Sequence, residues 1–142
     1  MTNKNNFWTD ANVGILLLRI TLGGLLFLHG FHKITHGIEN QMQLLANKGI
    51  PEQLMYFVYV SEVLAPALIV LGVFVRLSAL SIVITMITIL YVAPFPILGL
   101  DEHGALNGEL QFLYLLCPAA LLFMGAGRYR LWDSGTKHWL MD

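Results

Sequence analysis

Four long apolar stretches, separated by shorter polar segments, dominate the pattern of hydrophobic and polar positions along the chain. They cover approximately residues 11–32, 54–75, 77–98 and 108–127. Each is close to the length of about 20 residues that a helix needs to cross the hydrocarbon core of a bilayer. The apolar residues run continuously, without the alternation with period two that is typical of membrane β-strands. The pattern therefore predicts four transmembrane helices.

The segments between these stretches carry the residues that end helices. The longest, His32–Gln53, joins the first two spans, and its centre predicts a short interfacial helix over Glu39–Lys48. Only Arg76 separates the second span from the third, which predicts a tight helical hairpin. Because proline removes a backbone donor, Ala93–Pro96 is expected to end or kink the third span. The glycines of Gly125–Gly127 are expected to end the fourth.

The composition excludes the other broad classes of protein. Hydrophobic residues make up 56% of the 142-residue chain and charged residues 12%, against about 25% charged in typical globular domains. A small soluble domain has too much surface for its volume to hide this apolar content. A net charge of −1 argues against electrostatic binding of nucleic acid. The single cysteine, Cys117, excludes an intrachain disulfide and a four-cysteine metal site. We expect one membrane domain over residues 1–142, with the lipid bilayer as its surroundings.

The distribution of basic residues predicts the orientation of the bundle. With four spans, both termini lie on one side, together with five basic residues: Lys4, Arg76, Arg128, Arg130 and Lys137. The opposite side has only Lys33 and Lys48. The positive-inside rule then places the termini in the cytoplasm. Since Arg19 interrupts the first stretch and no small-residue cleavage site follows it, we expect a retained span rather than a signal peptide. The predicted fold is an all-α, integral membrane four-helix bundle.

Two ionisable residues lie deep inside predicted spans. Arg19 comes about 12 Å past Ala11 at a rise of 1.5 Å per residue, and Glu62 lies at a similar depth from the opposite face. A charge in hydrocarbon costs about 2.5–3.5 kcal/mol on insertion scales, so such residues usually face the bundle interior and pair. We therefore expect Arg19 and Glu62 to pair directly or through water. The pair is either a structural contact that fixes helix register or part of a ligand or proton site.

Helical phase places Arg19 on a stripe with small residues. Positions at the helical repeat share one face of the first span, and here they are Arg19, Gly23, Leu26, Gly30 and Lys33. Gly23 and Gly30 predict close approach of a neighbouring helix, as small residues do at membrane helix interfaces. Pro66 and Pro118 are expected to kink the second and fourth spans, and such kinks can open a cavity in a bundle.

A second face of the first span carries histidines. His29, His32 and His36 have spacings that are compatible with metal ligation, and His103 starts on the same outer side. Neutral imidazole is a common metal ligand, but an interfacial cluster bonded to water and backbone explains the same spacing, and we predict no metal site. A bis-histidine haem would need histidines on facing helices, and the sequence contains no CxxCH or iron–sulfur motif.

Glu109 stands at the entrance of the fourth span and has two interpretations. An acidic residue at a helix N-terminus is favoured by the helix macrodipole. Alternatively, Glu109 closes an outer polar pocket with Glu62, His29 and Lys33. On the opposite side, Arg76 is interpreted as a topology anchor, and two further arginines are expected to hold the inner interface, namely Arg128 and Arg130.

The order of these features resembles the DoxX family of small four-helix membrane proteins. The first span has an arginine, then glycines, then the His29–Gly30 step with Lys33 three residues later. The second has Glu62, followed by a glycine and Arg76. Glu109 and the closing segment 125–133 are similar to the end of the family pattern. The resemblance extends from Val13 to Asp133.

The resemblance implies a membrane subunit in the bacterial inner (plasma) membrane. Some members are associated with thiosulfate:quinone oxidoreductase, in which a membrane subunit works with a second subunit, and others with thiol-stress complexes. The implied function is binding of a quinone-like or other small redox-active molecule in an outer-half polar pocket, in support of a redox or sulfur-related complex. The candidate ligand or proton-path residues are Arg19, His29, Lys33, Glu62 and Glu109.

Several alternatives to this function stay open. No self-contained catalytic motif is present, so the chain is either an oxidoreductase subunit or not an enzyme. A non-enzymatic membrane scaffold or a small-solute transporter would have the same composition. The expected partners are a second copy of the chain or another membrane subunit of a redox complex, and the expected cofactor, if one is bound, is a quinone.

Overall fold

The computed structural model describes residues 10–94, 96–100 and 102–132. Within these ranges the regular structure is helical, apart from one isolated antiparallel bridge between Leu100 and Leu106. The helices are α1 Ala11–His36, α2 Glu39–Asn47, α3 Glu52–Leu71, α4 Val75–Val92 and α5 Glu109–Met124. The all-helical prediction is confirmed for the described part of the chain. Two basic residues used for the predicted orientation lie outside the described residues, namely Lys4 and Lys137.

Three of these helices are long and apolar enough to cross a membrane. They are α1, α3 and α4, with mean hydropathies of 1.9, 2.0 and 2.0 over their most apolar windows. Helix α5 is equally apolar in character but has only 16 residues, about 24 Å of helix against a hydrocarbon core of about 30 Å. Membrane-capable helices are therefore confirmed, whereas the fourth crossing and the cytoplasmic termini stay predictions.

The four longest described helices pack around an apolar core. Helix α1 packs on α3 and α5, and α4 packs on the same two helices. Their shared centre contains fully buried residues from every helix, including Leu26, Ile69, Ile82 and Leu121. A second apolar cluster lies below the short helix α2, where Leu45 packs with Met55 and Val92. Helix α2 thus closes one end of the bundle by burying a single apolar face.

Helix α3 changes its geometry along its length. It begins as a 3₁₀ turn over Glu52–Tyr56 and becomes a π-helix over Val60–Leu64. In the π turn the Ala65 amide donates to the Val60 carbonyl, five residues earlier. Pro66 follows directly and has no N–H to continue a regular α-helical ladder. A widened turn thus lies just before Pro66 and carries Glu62, whereas the kinks predicted at Pro66 and Pro118 stay predictions.

The connection between α3 and α4 differs from the predicted one. Helix α3 ends at Leu71, where Gly72 adopts a left-handed conformation with φ of 76°. Phe74 is also left-handed, with φ of 47°, and α4 begins at Val75. Arg76 therefore lies in the first turn of α4 rather than between two helices, and its Nη2 donates to the Phe123 carbonyl at 3.3 Å. This contact links the start of α4 to the end of α5.

Candidate functional site

The buried face of α1 carries a cation at each end. Its buried residues are Arg19, Leu22, Gly23, Leu26 and Gly30, and Lys33 continues the same face. Arg19 and Lys33 are separated by about 21 Å along the helix axis, four turns at 1.5 Å per residue. Two charges so far apart cannot share one partner, and each is satisfied by different groups.

Within the described residues, Arg19 is hydrogen-bonded only to backbone carbonyl groups. Its Nε donates to the Ile69 carbonyl at 2.8 Å and its Nη2 to the Val70 carbonyl at 2.9 Å. Its Nη1 donates to the carbonyls of Ala126 and Tyr129. The side chain is only 1% exposed. Carbonyl groups at a helix C-terminus carry partial negative charge, so the guanidinium ties the end of α3 to the segment after α5.

The predicted pairing of Arg19 with Glu62 is wrong. Lys33 binds Glu62 instead, with its Nζ 2.7 Å from both carboxylate oxygens. Arg19 is level with Ile69 and Val70, about two helical turns further along α3 than Glu62. The prediction compared depths along two separate spans, but the axial offset between the helices decides which residues meet.

Two glycines allow the approach of α1 to α3. A Cβ atom on Gly30 would overlap the Glu62 carbonyl group, and one on Gly23 would come within 2.7 Å of the Pro66 carbonyl oxygen. Side chains larger than hydrogen would push the helices apart. The contact at Gly30 holds α1 against the π turn, and Lys33, about one turn further along α1, then reaches the Glu62 carboxylate.

The ion pair forms part of the wall of a cavity of about 270 Å³. Six polar side chains converge on it: His29, Lys33, Gln41, Glu62, Gln111 and Tyr114. The remaining wall is mostly apolar and includes Leu26, Met86 and Ile89. Apolar walls with a few convergent polar groups are typical of sites for small molecules. The cavity therefore has the composition of a ligand site.

One buried polar atom in this wall has no partner among the described residues. It is the Oε1 atom of Gln111, which accepts no hydrogen bond from that part of the chain. Buried polar atoms are rarely left unsatisfied in native proteins, and an exception calls for a ligand or water. Nearby, the ring of His29 meets that of Tyr114 edge-on, with centroids 5.6 Å apart. The cavity thus offers a hydrogen-bond acceptor close to an edge-on pair of rings.

The sequence reasoning did not assign three of these wall residues to a pocket, namely Gln41, Gln111 and Tyr114. Glu109, which it did consider, is exposed and does not line the cavity. Two residues along an α-helix turn the side chain by about 200°, so Gln111 faces inward when Glu109 faces outward. Isolated polar residues in apolar spans would have been the signal for Gln111 and Tyr114.

The histidines of α1 border a second, more polar cavity of about 230 Å³. It shares His29, Lys33 and Gln41 with the first cavity and adds His32 and His36. The rings of His32 and His36 stack with centroids 4.0 Å apart. His103 lines neither cavity. Within the described residues no group of three or more His, Cys, Asp or Glu side chains is placed to hold a metal ion.

The arginines after α5 lie at the other end of the molecule. Arg128 Nη2 is 3.3 Å from Asp10 Oδ2, and its guanidinium lies 5.1 Å from the centroid of the Tyr129 ring. Hydrogen bonds from Asn12 lower the pKa of Asp10, and the Arg128 charge adds to this. Hydrogen bonding to Tyr129 raises the pKa of Arg128. Arg130 and Arg19 border a separate open cavity at this end.

Comparison with known proteins agrees with the sequence resemblance. The DoxX family model matches residues 14–94, more than half of the chain. The chain belongs to the DoxX family. This DoxX protein is also 30% identical over 118 residues to the Bacillus subtilis (strain 168) protein named "Putative oxidoreductase CatD", covering 80% of this chain and 81% of the relative. No solved structure matches.

The family match places some site residues inside the shared region and others outside it. Arg19, Lys33 and Glu62 lie within residues 14–94, as do α1 to α4 almost completely. Gln111 and Tyr114 lie beyond the matched region. Family membership and the apolar helices together identify this chain as an integral membrane protein.

Proposed function

We propose that this DoxX protein binds a quinone-like, redox-active molecule in the cavity beside Lys33 and Glu62. In this proposal it serves as a membrane subunit of a redox or thiol- and sulfur-related complex in the bacterial inner membrane. The single observation that carries the proposal is a partly buried ion pair in the wall of a mostly apolar cavity. The name of its Bacillus subtilis relative, "Putative oxidoreductase CatD", supports the redox assignment.

The donors and acceptors in the cavity fit the two oxygens of a quinone. An ammonium group has three N–H donors, and two of those of Lys33 are directed at Glu62. The third can donate to a quinone oxygen that enters the cavity. The Glu62 carboxylate and the unpartnered Gln111 oxygen can accept from the hydroxyl groups of a reduced quinone. The apolar walls would hold the ring between Leu26 and Met86.

A quinone supplies two-electron chemistry that is coupled to proton transfer. The second, more polar cavity, which the histidines of α1 border, supports a proton path. His29 and Lys33 line both cavities, so protonatable groups continue from the ion pair to the exposed His32 and His36. With cytoplasmic termini and four spans, this end of the bundle would face away from the cytoplasm. The cytoplasmic termini and the fourth span are both part of the proposal.

Equilibrium binding of a water-soluble quinone tests the proposal. The full chain in lipid nanodiscs would be titrated with 2,3-dimethoxy-5-methyl-1,4-benzoquinone, next to the Lys33→Gln and Glu62→Gln variants. Lost hydrogen bonds to a charged group are worth about 1.5–3 kcal/mol, so each variant should bind roughly 10- to 100-fold more weakly.

Matched controls are available outside the cavity. Lys48→Gln and Glu109→Gln remove the same charges from exposed positions that do not line the cavity. Both variants should bind the benzoquinone with the affinity of the unmodified protein. Absence of saturable binding, or equal affinity in all four variants, would overturn the proposal.

A scaffold function is the second candidate, and the Arg19 network favours it. Every described contact of that guanidinium is to backbone, which is a structural role. If this candidate holds, the Lys33→Met/Glu62→Leu double variant should fold and still support the activity of its complex in cells. Loss of that activity by a stably folded double variant would contradict the scaffold function.

A further inference from the structure

A second, apolar chamber adjoins the proposed quinone site. Its volume is about 360 Å³, and it lies between α2, α3 and α4. Three residues form a wall common to both spaces, namely Leu45, Met55 and Ile89. Met55 is a flexible side chain at this boundary, and methionine readily adjusts its shape to a neighbour. The two spaces are thus neighbouring parts of one region of the bundle.

The lining of the chamber is suited to hydrocarbon. Eight of its ten lining residues are apolar and none is charged; the other two are Thr85 and Thr88. The Thr88 hydroxyl donates to the Ile84 carbonyl at 3.0 Å. The Thr85 hydroxyl is buried, its residue is 8% exposed, and it has no partner in the described part of the chain. Apart from these two hydroxyl groups the lining has no polar side chain, whereas six polar side chains line the first cavity.

The chamber also borders the outer surface of the bundle. Leu54, Phe57 and Ile84 line it and are 59%, 43% and 49% exposed. In a membrane these exposed side chains on α3 and α4 would contact lipid tails. A molecule could therefore place a polar group beside Lys33 and extend an apolar chain through the chamber towards the hydrocarbon.

We infer that this chamber holds the apolar chain of the molecule whose head group binds beside Lys33 and Glu62. The inference rests on the proposed function and narrows its ligand to an amphipathic molecule with an alkyl or prenyl tail. The head-group cavity of about 270 Å³ is slightly below the range of about 300–1,000 Å³ for ligand pockets. The adjoining chamber brings the combined space well into that range.

A matched pair of variants on α4 tests the chamber. Ile84 lines it, whereas Ile87 lies on the same helix with similar exposure, 54%, and does not line it. The Ile84→Trp variant should bind decyl-substituted benzoquinone more than about tenfold more weakly, because tryptophan displaces several methylene groups of the tail. Its affinity for the tail-free benzoquinone should change less than about twofold. Ile87→Trp should bind both probes as the unmodified protein does.

This comparison separates the tail from the head group. Partition of the decyl probe into the nanodisc is common to all variants and cancels when they are compared. If the tail-free probe binds but Ile84→Trp leaves the decyl probe unaffected, the chamber assignment is overturned and the proposed function stands. If neither probe binds the unmodified protein, the proposed function itself fails.

Photolabelling of the unmodified protein provides a test that needs no variant. A decyl quinone with a terminal diazirine should label the residues that line the chamber on α3 and α4, namely Leu54, Phe57, Val58, Ile84, Thr85 and Thr88. Labelling confined to the exposed face of α1, at Leu25 and Leu28, would overturn the inference. Native mass spectra could instead show a phospholipid that stays bound to the unmodified protein and to Ile87→Trp but is lost from Ile84→Trp. If the affinity of Ile84→Trp for decyl quinone is then unchanged, the chamber is assigned to a membrane lipid.

Discussion

Lys33 Nζ lies 2.7 Å from both carboxylate oxygens of Glu62, although the two residues are 29 positions apart in the chain. The two partners are buried unequally, because the Glu62 side chain is 2% exposed and that of Lys33 is 18% exposed. The loss of unfolding free energy should therefore differ between removal of Lys33 and removal of Glu62. This inequality, and the fact that Arg19 is satisfied elsewhere, lead to the first two of four predictions about stability.

Loss of Lys33 should destabilise the protein more than loss of Glu62. Lys33→Met leaves an almost completely buried carboxylate without its partner, and breaking a buried ion pair costs about 3–5 kcal/mol. Glu62→Gln leaves an ammonium that borders a polar cavity, so we expect a loss of about 1–2 kcal/mol. Unfolding in mixed detergent micelles measures both, with Lys48→Met as the control for an exposed lysine. A larger loss for Glu62→Gln would contradict the predicted order.

Glu62 should be energetically coupled to Lys33 and not to Arg19. In a double-mutant cycle, Lys33→Met with Glu62→Leu should recover at least about 1 kcal/mol relative to the sum of the single changes. Arg19→Leu with Glu62→Leu should be additive within about 0.5 kcal/mol, because the two side chains share no partner. Coupling of Glu62 with Arg19 instead would show that the two helices are offset differently from the geometry described above.

Replacement of Gly30 by alanine should destabilise the protein, whereas the same replacement of Gly24 on the same helix should not. A Cβ at position 30 would overlap the Glu62 carbonyl group, whereas one at Gly24 has no atom within 4 Å. Gly30→Ala should destabilise by about 1–3 kcal/mol through overpacking. Gly24→Ala should be neutral, or stabilising by up to about 1 kcal/mol, because alanine favours the helix. Equal effects of the two changes on the unfolding free energy would contradict the close approach of α1 to α3.

Asp10 should make the stability of the start of α1 depend on acid pH. Hydrogen bonds from Asn12 and the charge of Arg128 lower the pKa of Asp10 from 3.8. A lowered folded-state pKa means that the stabilisation is fully present above about pH 3.8 and is lost as the pH falls through the folded value. Asp10→Asn retains an N-cap but cannot titrate.

Thermal unfolding between pH 3 and pH 7 measures this contribution. The unmodified protein should unfold at a higher temperature than Asp10→Asn at pH 7, and the difference should shrink as the pH falls below about 3.8. The part that comes from Arg128 should also shrink in high salt, since exposed charges are screened. A difference that does not change with pH would mean that the carboxylate charge contributes nothing.

The features that depend on local sequence were predictable. Long apolar runs predicted membrane-capable helices, and a helix was expected where α2 is found. The helical repeat also identified the buried face of α1, since Arg19, Gly23, Leu26 and Gly30 are all buried. Helix type and the inward face follow from the period of the apolar residues, so one sequence is sufficient for both.

Only the tertiary structure decided which polar groups meet. Lys33 and not Arg19 reaches Glu62, because the approach at Gly30 and the π turn before Pro66 fix the axial offset of α1 and α3. The rotation of α5 turns Gln111 into the cavity and leaves Glu109 outside. Sequence determines the depth and phase of residues within one helix, whereas the offset and rotation of one helix relative to another depend on packing between distant segments.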